Sequence, residues 1–298
     1  VLAGSEWREQ TLAFNEQVRA LMAQLPPVES VPAEATRRAR LAGTGALPKP
    51  VYLPQARWEE WDGVRVRVLA PEGAARGTYL HVHGGGWTLG GADQQDPLLW
   101  ELVAATGLAV ASVEYRLAPE HPYPAALEDC VAAARRLPGS GLPAPYAIGG
   151  ESAGAHLAVL TMLRVPHFAA ANLAYGAFDL SGTPSRRRYD DTLVLTDAGM
   201  EWFTQNFLPG LDAEARRAPE ISPLYAEPAG LPPALFTVGT CDPLLDDSRF
   251  MAARWPSACE LRVYDGACHG FNVFPIEIAR DANAAMARFL TRALAATA

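Results

Sequence analysis

From Thr78 onward the chain alternates short apolar runs with helix-like segments, and no other feature restricts its fold so tightly. The runs TYLHVH, LAVASVEY, PYAIGG, AANLAYG, ALFTVGT and ELRVYDG are apolar on both faces and short, so they read as buried strands. Between them, roughly 99–106, 124–137, 152–163, 244–255 and 276–295 read as helices. Strands of this kind need paired backbone on both edges and cover on both faces. A mostly parallel central sheet with helices on both faces meets that condition, which predicts an α/β protein.

Upstream, SEWREQTLAFNEQVRALMAQL places Phe14, Val18, Leu21, Met22 and Leu25 on one helical stripe, and Pro26-Pro27 stops it. A Pro- and Ala-rich stretch runs to about Pro54. RWEEWDGVRVRVLAPEG then alternates around Asp62-Gly63 as a hairpin does. One segment breaks the later alternation: residues 181–222, with Met200, Trp202, Phe203, Phe207 and the helix-breaking Pro209-Gly210, have no strand character.

With 298 residues, 49% hydrophobic and 19% charged, the chain can build one large core or two modest ones. A formal net charge of −8 argues against a nucleic-acid or anionic-membrane surface, because both demand clustered Lys and Arg. The only short basic run, Arg186-Arg187-Arg188, reads as a solvated loop. No stretch approaches the ~20 apolar residues that span a bilayer, and no basic-then-apolar leader pattern opens the sequence. Cys130, Cys241, Cys259 and Cys268 are scattered and form no C-x-x-C pair. They suit a reducing compartment, hence a cytoplasmic expectation, and give zinc little support.

The chemistry concentrates at three places. The strand YAIGG runs directly into Glu151-Ser152-Ala153-Gly154 and the helix AHLAVLTML. Gly150-x-Ser152-x-Gly154 between strand and helix is a nucleophile-elbow pattern, whose strained turn presents the serine hydroxyl to a cleft. That hydroxyl needs a base, and the base an orienting carboxylate, in the chain order Ser, Asp or Glu, His. Of six histidines, His81, His83 and His121 precede the serine, His156 is carried away along the helix, and His167 lies at the wrong edge of the sheet. His269, in CHGFN, remains. For the acid, Asp242 ends the strand ALFTVGTC and ranks first; Asp179, also past a strand end, is its competitor, ahead of Asp246, Asp247 and Asp265.

HVHGGGW, residues 81–87, then acquires a purpose. Acyl transfer builds negative charge on a carbonyl oxygen, and the bare backbone of a glycine loop can bring amide donors to it. Gly85 and Gly86 are the expected donors with Ala153 as the third, and His83, Gly84 and Glu151 support the loop and elbow. His81-Val82-His83 could open a metal site, but the glycines that follow supply no ligand, so no metal is expected. Trp87, Trp202 and Phe203 are the expected pocket walls, and Phe207 reads as core of the covering segment.

HGGGW at 83–87, YRLAPEHPYPAALED at 115–129, GESAG at 150–154, CDPLLDD at 241–247 and HGF at 269–271 together resemble the hormone-sensitive lipase family of carboxylesterases. The resemblance runs from about residue 78 to the end; SRRRYDD matches none of its motifs. It implies an α/β-hydrolase fold, a Ser-Asp-His triad, no metal or organic cofactor, and a helical cap. Residues 1–50 would be an N-terminal cap segment, and 51–298 the catalytic domain with a cap insertion at about 181–222. The expected partner is a small-molecule ester with an acyl chain of roughly two to six carbons, since large rings leave little room for further methylenes. Two other readings stand beside it: an amidase or aryl formamidase with the same triad, and a non-catalytic ligand-binding receptor on the same fold. The sequence leaves the oligomeric state open.

Overall fold

The computed structural model describes residues 1–188 and 193–296, except the side chain of Arg188. In chain order the elements are β1 (Leu2–Ala3), α1 (Arg8–Met22), α2 (Ala33–Ala42), β2 (Arg57–Trp61), β3 (Val64–Leu69), β4 (Thr78–Val82), α3 (Asp96–Thr106), β5 (Ala109–Glu114) and α4 (Ala125–Arg136). Then follow β6 (Tyr146–Glu151), α5 (Ala153–Arg164), β7 (Ala170–Ala174), α6 (Pro184–Arg188), α7 (Asp197–Phe207), β8 (Ala234–Cys241), α8 (Leu245–Arg254), β9 (Cys259–Cys268) and α9 (Glu277–Ala295).

The strands form one sheet in the order β1-β9-β8-β7-β6-β4-β5-β3-β2. Among the described residues, β3 alone runs against the other strands, antiparallel to both β2 and β5. β2 and β3 are joined by Asp62-Gly63, both at positive φ (52° and 85°), as a two-residue hairpin turn requires. Every residue of β4 and β7 is buried, as strands covered on both faces must be. Residues of α4, α5 and α8 share one apolar core with one face of the sheet. Those of α3 and α9 share another with the opposite face. Because parallel strands all end at the same edge, β4, β6, β8 and β9 deliver their C-terminal loops to one rim.

Two expectations for the N-terminal region need correction. Leu2 and Ala3 pair in parallel with Val263 and Tyr264, so the start of the presumed cap segment belongs to the sheet. The helical stripe is also turned: Thr11, Asn15 and Val18 are the buried residues of α1, whereas Leu21 is exposed. Asn15 can occupy that face because its amide donates to Gly266 O at 2.8 Å, which removes the cost of burying an unpaired polar group. The later part of the segment approaches the rim. The turn Val28–Ser30 touches α7, and Arg37 from α2 donates to the carbonyls of Thr88 and Ala118.

Within the basic run, Arg186 departs from the expected solvated loop, whereas Arg187 is exposed. Arg186 lies in α6, largely buried, and donates to Asp197 Oδ1 at 2.9 Å and Glu201 Oε2 at 3.3 Å. Among the described residues, no helix is long and apolar enough to cross a membrane.

Candidate active site

Ser152 sits between β6 and α5 at φ 56°, ψ −119°, a positive-φ conformation costly for a residue with a Cβ. The turn is held by the Ser152 amide, which donates to Ala174 O at 2.9 Å. It also needs its two flanking glycines. A Cβ on either Gly150 or Gly154 would lie 1.9 Å from Val82 O, because the backbone of β4 passes directly against the elbow. The serine thereby projects from a tight, rigid turn at the C-terminal rim.

His269 follows the last residue of β9 and bridges two groups. Its Nδ1 faces the Asp242 carboxylate, 2.9 Å from Oδ2 and 3.1 Å from Oδ1, and its Nε2 lies 3.0 Å from Ser152 Oγ. A carboxylate can only accept, so Nδ1 carries the proton and Nε2 is left as acceptor toward the serine hydroxyl. Asp242 is fully buried, and its Oδ1 also accepts from Leu244 N at 2.8 Å. The edge of the imidazole meets Tyr175, ring centroids 4.8 Å apart. Tyr175 is itself tied to Asn272, a support that no spacing in the sequence announces.

Asp179, the competing acid, lines the cavity at Ser152 but its oxygens are engaged elsewhere. Oδ1 accepts from Ser181 N and Oγ, and Oδ2 from Tyr225 OH. Asp247 ties the same segment to α8, accepting from Phe178 N, Asp179 N and Thr183 Oγ1. Burial outweighs those donors and raises its carboxyl to about 7.

The glycine loop follows β4. Gly85 O accepts from the amides of Thr88 and Leu89 at 3.1 and 2.8 Å, which closes the turn. A Cβ on Gly84 would stand 3.6 Å from that of Ser152, so the loop runs alongside Ser152. Among the described residues, the amides of Gly85 and Gly86 donate no hydrogen bond. Ala153 opens α5, where a first-turn N–H has no partner within the helix. His83 bonds Gly84 O through Nδ1 at 2.9 Å and stacks on Tyr115 at 4.1 Å, with burial holding its pKa down at about 3. Glu151 takes His81 Nε2 at 3.0 Å, and the other nitrogen of His81 meets Ser112 Oγ.

The cavity over Ser152 is small, about 40 Å³, and Gly86, Trp87, Met200 and Phe203 are among its walls. Phe203 crowds the loop so closely that a Cβ on Gly86 would fall 2.3 Å from its ring. Trp202 does not line the cavity; it packs edge-on against Phe203 from behind, centroids 5.0 Å apart. Trp87 stacks on the buried Phe207 at 4.6 Å and donates through Nε1 to His156 Nδ1, whose Nε2 in turn donates to Ile221 O. His156 therefore does point away from Ser152, and it uses that direction to fasten the 181–222 insertion to the elbow helix. Among the described residues, no three His, Cys, Asp or Glu side chains converge as a metal site requires.

Comparison with known proteins places this arrangement. Residues 79–273 match the alpha/beta hydrolase fold family. The chain is 31% identical over 284 residues to the carboxylesterase NlhH of Mycobacterium tuberculosis, covering 87% of this chain and 89% of that protein. Among solved structures it superposes on EstE5 soaked by p-nitrophenyl butyrate with a TM-score of 0.84, at 26% identity, covering 98% of this chain and 100% of that one. An esterase from the bacterial hormone-sensitive lipase family gives a TM-score of 0.81 at 27% identity, over 98% of this chain and 99% of that one. The chain thus belongs to the hormone-sensitive lipase family of α/β-hydrolase carboxylesterases.

Proposed function

We propose that the protein hydrolyses short-chain acyl esters through a covalent acyl-enzyme on Ser152. The observation that carries this reading is the single imidazole of His269 lying between Ser152 Oγ and the buried Asp242. As the hydroxyl attacks the ester carbonyl carbon, its proton passes to His269 Nε2, and the carboxylate steadies the imidazolium. The charge that develops on the carbonyl oxygen is taken by the amides of Gly85, Gly86 and Ala153, fixed in advance by the turn and the start of α5. His269 then returns the proton to the departing alcohol oxygen, and a water repeats the cycle to release the acid.

Residues 28–42 and the 181–222 insertion act as the cover, with α7 as its inner wall. The cavity of about 40 Å³ favours the acetyl end of the short-chain range. Met200 and Phe203 of α7 wall that cavity, so longer chains require α7 to move aside. The test is a panel of p-nitrophenyl esters from acetyl to palmitoyl beside matched anilides, together with labelling by a serine-reactive phosphonate. The expected result is labelling of Ser152 and kcat/KM falling as the acyl chain lengthens beyond acetyl. Unlabelled native protein would support a receptor; anilides matching esters, an amidase; palmitoyl exceeding butyryl, a cap that opens widely.

A further inference from the structure

Two of the four cysteines stand in positions that the proposed ester chemistry does not use. Cys241 is the last residue of β8 and Cys268 the last of β9, and they are partners across the two parallel strands, just past an irregularity in the register between Gly239 and Cys241. Cys241 immediately precedes Asp242, and Cys268 immediately precedes His269. Both thiols are free, Cys268 buried and Cys241 partly exposed. Cysteine thus flanks both members of the acid–base pair at one strand end.

We propose that Cys241 and Cys268 form a reversible disulfide under peroxide, and that this bond switches the esterase off by displacing Asp242 from His269. Residues opposite each other in paired strands point to the same face, and adjacent strands lie 4.7–4.9 Å apart. That is inside the 4.4–6.8 Å range of Cα separations that a disulfide spans. The Cβ atoms of a disulfide sit about 3.8 Å apart, so forming the bond draws the two strand ends together by roughly 1 Å. A shift of that size in a catalytic group costs on the order of 10²-fold in rate.

The order of steps follows from the surroundings. Burial, the Asp242 carboxylate and the neighbouring Cys241 push the Cys268 thiol up to about 12, so it remains protonated. Cys241, the accessible partner, attacks first as its thiolate. It displaces hydroxide from hydrogen peroxide and becomes a sulfenic acid, the hydroxide being protonated to water. The Cys268 sulfur then attacks the Cys241 sulfur, losing its proton, and the sulfenic oxygen leaves as a second water. Two thiols and one peroxide become one disulfide and two waters. A dithiol such as dithiothreitol reverses the change by thiol–disulfide exchange.

The inference rests on Asp242 and His269 being the acid–base pair, and the test separates the two claims by counting thiols independently of activity. The full chain is treated with hydrogen peroxide, alkylated under denaturing conditions, mapped by mass spectrometry, and assayed on p-nitrophenyl acetate. The expected result is a fall from four alkylatable thiols to two, a peptide linking Cys241 to Cys268, a parallel loss of activity on the order of 10²-fold, and recovery with dithiothreitol. Cys241→Ala should keep its activity under the same peroxide, whereas Cys130→Ala and Cys259→Ala should be inactivated like the parent. Absence of the linked peptide, full activity in linked protein, or equal inactivation of Cys241→Ala would each overturn the proposal.

Discussion

Replacing Phe203 by alanine tests what limits acyl length. Its ring lies against Gly86 and closes a cavity of about 40 Å³ over Ser152. The ring thus occupies space that a longer acyl chain would need beside Ser152. Removing the ring opens space beside the reacting carbonyl for the two further methylenes of a butyryl chain. Each methylene buried is worth ~0.8 kcal/mol, so two add ~1.6 kcal/mol to transition-state binding. The ratio of kcat/KM for p-nitrophenyl butyrate over acetate should therefore rise ~15-fold. The ring is only partly buried, so the loss of folding stability should stay below the ~3–5 kcal/mol of a fully buried Phe→Ala. The assay is steady-state kinetics on both esters, with denaturant unfolding as a control. A folded variant whose butyrate-to-acetate ratio is unchanged would show that Phe203 does not bound the acyl site.

The same geometry makes two further predictions. Asp242→Asn removes the acceptor for His269 Nδ1–H and should lower kcat by ~10⁴-fold, while Asp179→Asn, whose partners are Ser181 and Tyr225, should cost far less; the reverse order in an ester assay would mean that the acid is misplaced. Asp247 is raised to about 7 by burial, so the folded chain holds a proton that the unfolded chain releases near pH 4. Stability should accordingly fall as pH climbs from about 4 to 7, by at most ~4 kcal/mol, and Asp247→Asn should flatten that slope in denaturant titrations. An identical slope in the variant would locate the effect elsewhere.

The strands and helices of the sheet were legible because buried parallel strands are apolar on both faces, a pattern that few other folds share. The hairpin was equally plain from Asp62-Gly63, whose two positive φ angles suit those residue types. Leu2-Ala3 was not legible, since a two-residue edge strand has no periodicity to read and is specified only by its partner β9. Thr11 and Asn15 escaped the hydrophobic stripe for a related reason: their hydrogen bonds are made to Trp7 O and to Gly266 O, the latter 251 residues away in sequence. At the site, chain order and strand ends point to Ser152, Asp242 and His269, and the fold puts His269 within hydrogen-bond distance of each of the other two. Pocket walls were harder. Trp202 and Phe203 are adjacent on α7, and only the helix's rotation about its axis decides which one meets the cavity. The Arg run offered no signal for its ion pairs, because Asp197 and Glu201 reach Arg186 only once the insertion has folded back on itself.

The central claim, that Ser152 is the attacking group, is tested most directly by kcat for Ser152→Ala on p-nitrophenyl acetate. The substitution deletes one oxygen, the atom 3.0 Å from His269 Nε2, and leaves the elbow's backbone contacts in place. The expected result is a loss on the order of 10⁴-fold or more with unfolding behaviour unchanged. A folded variant that retains near-native turnover would contradict it.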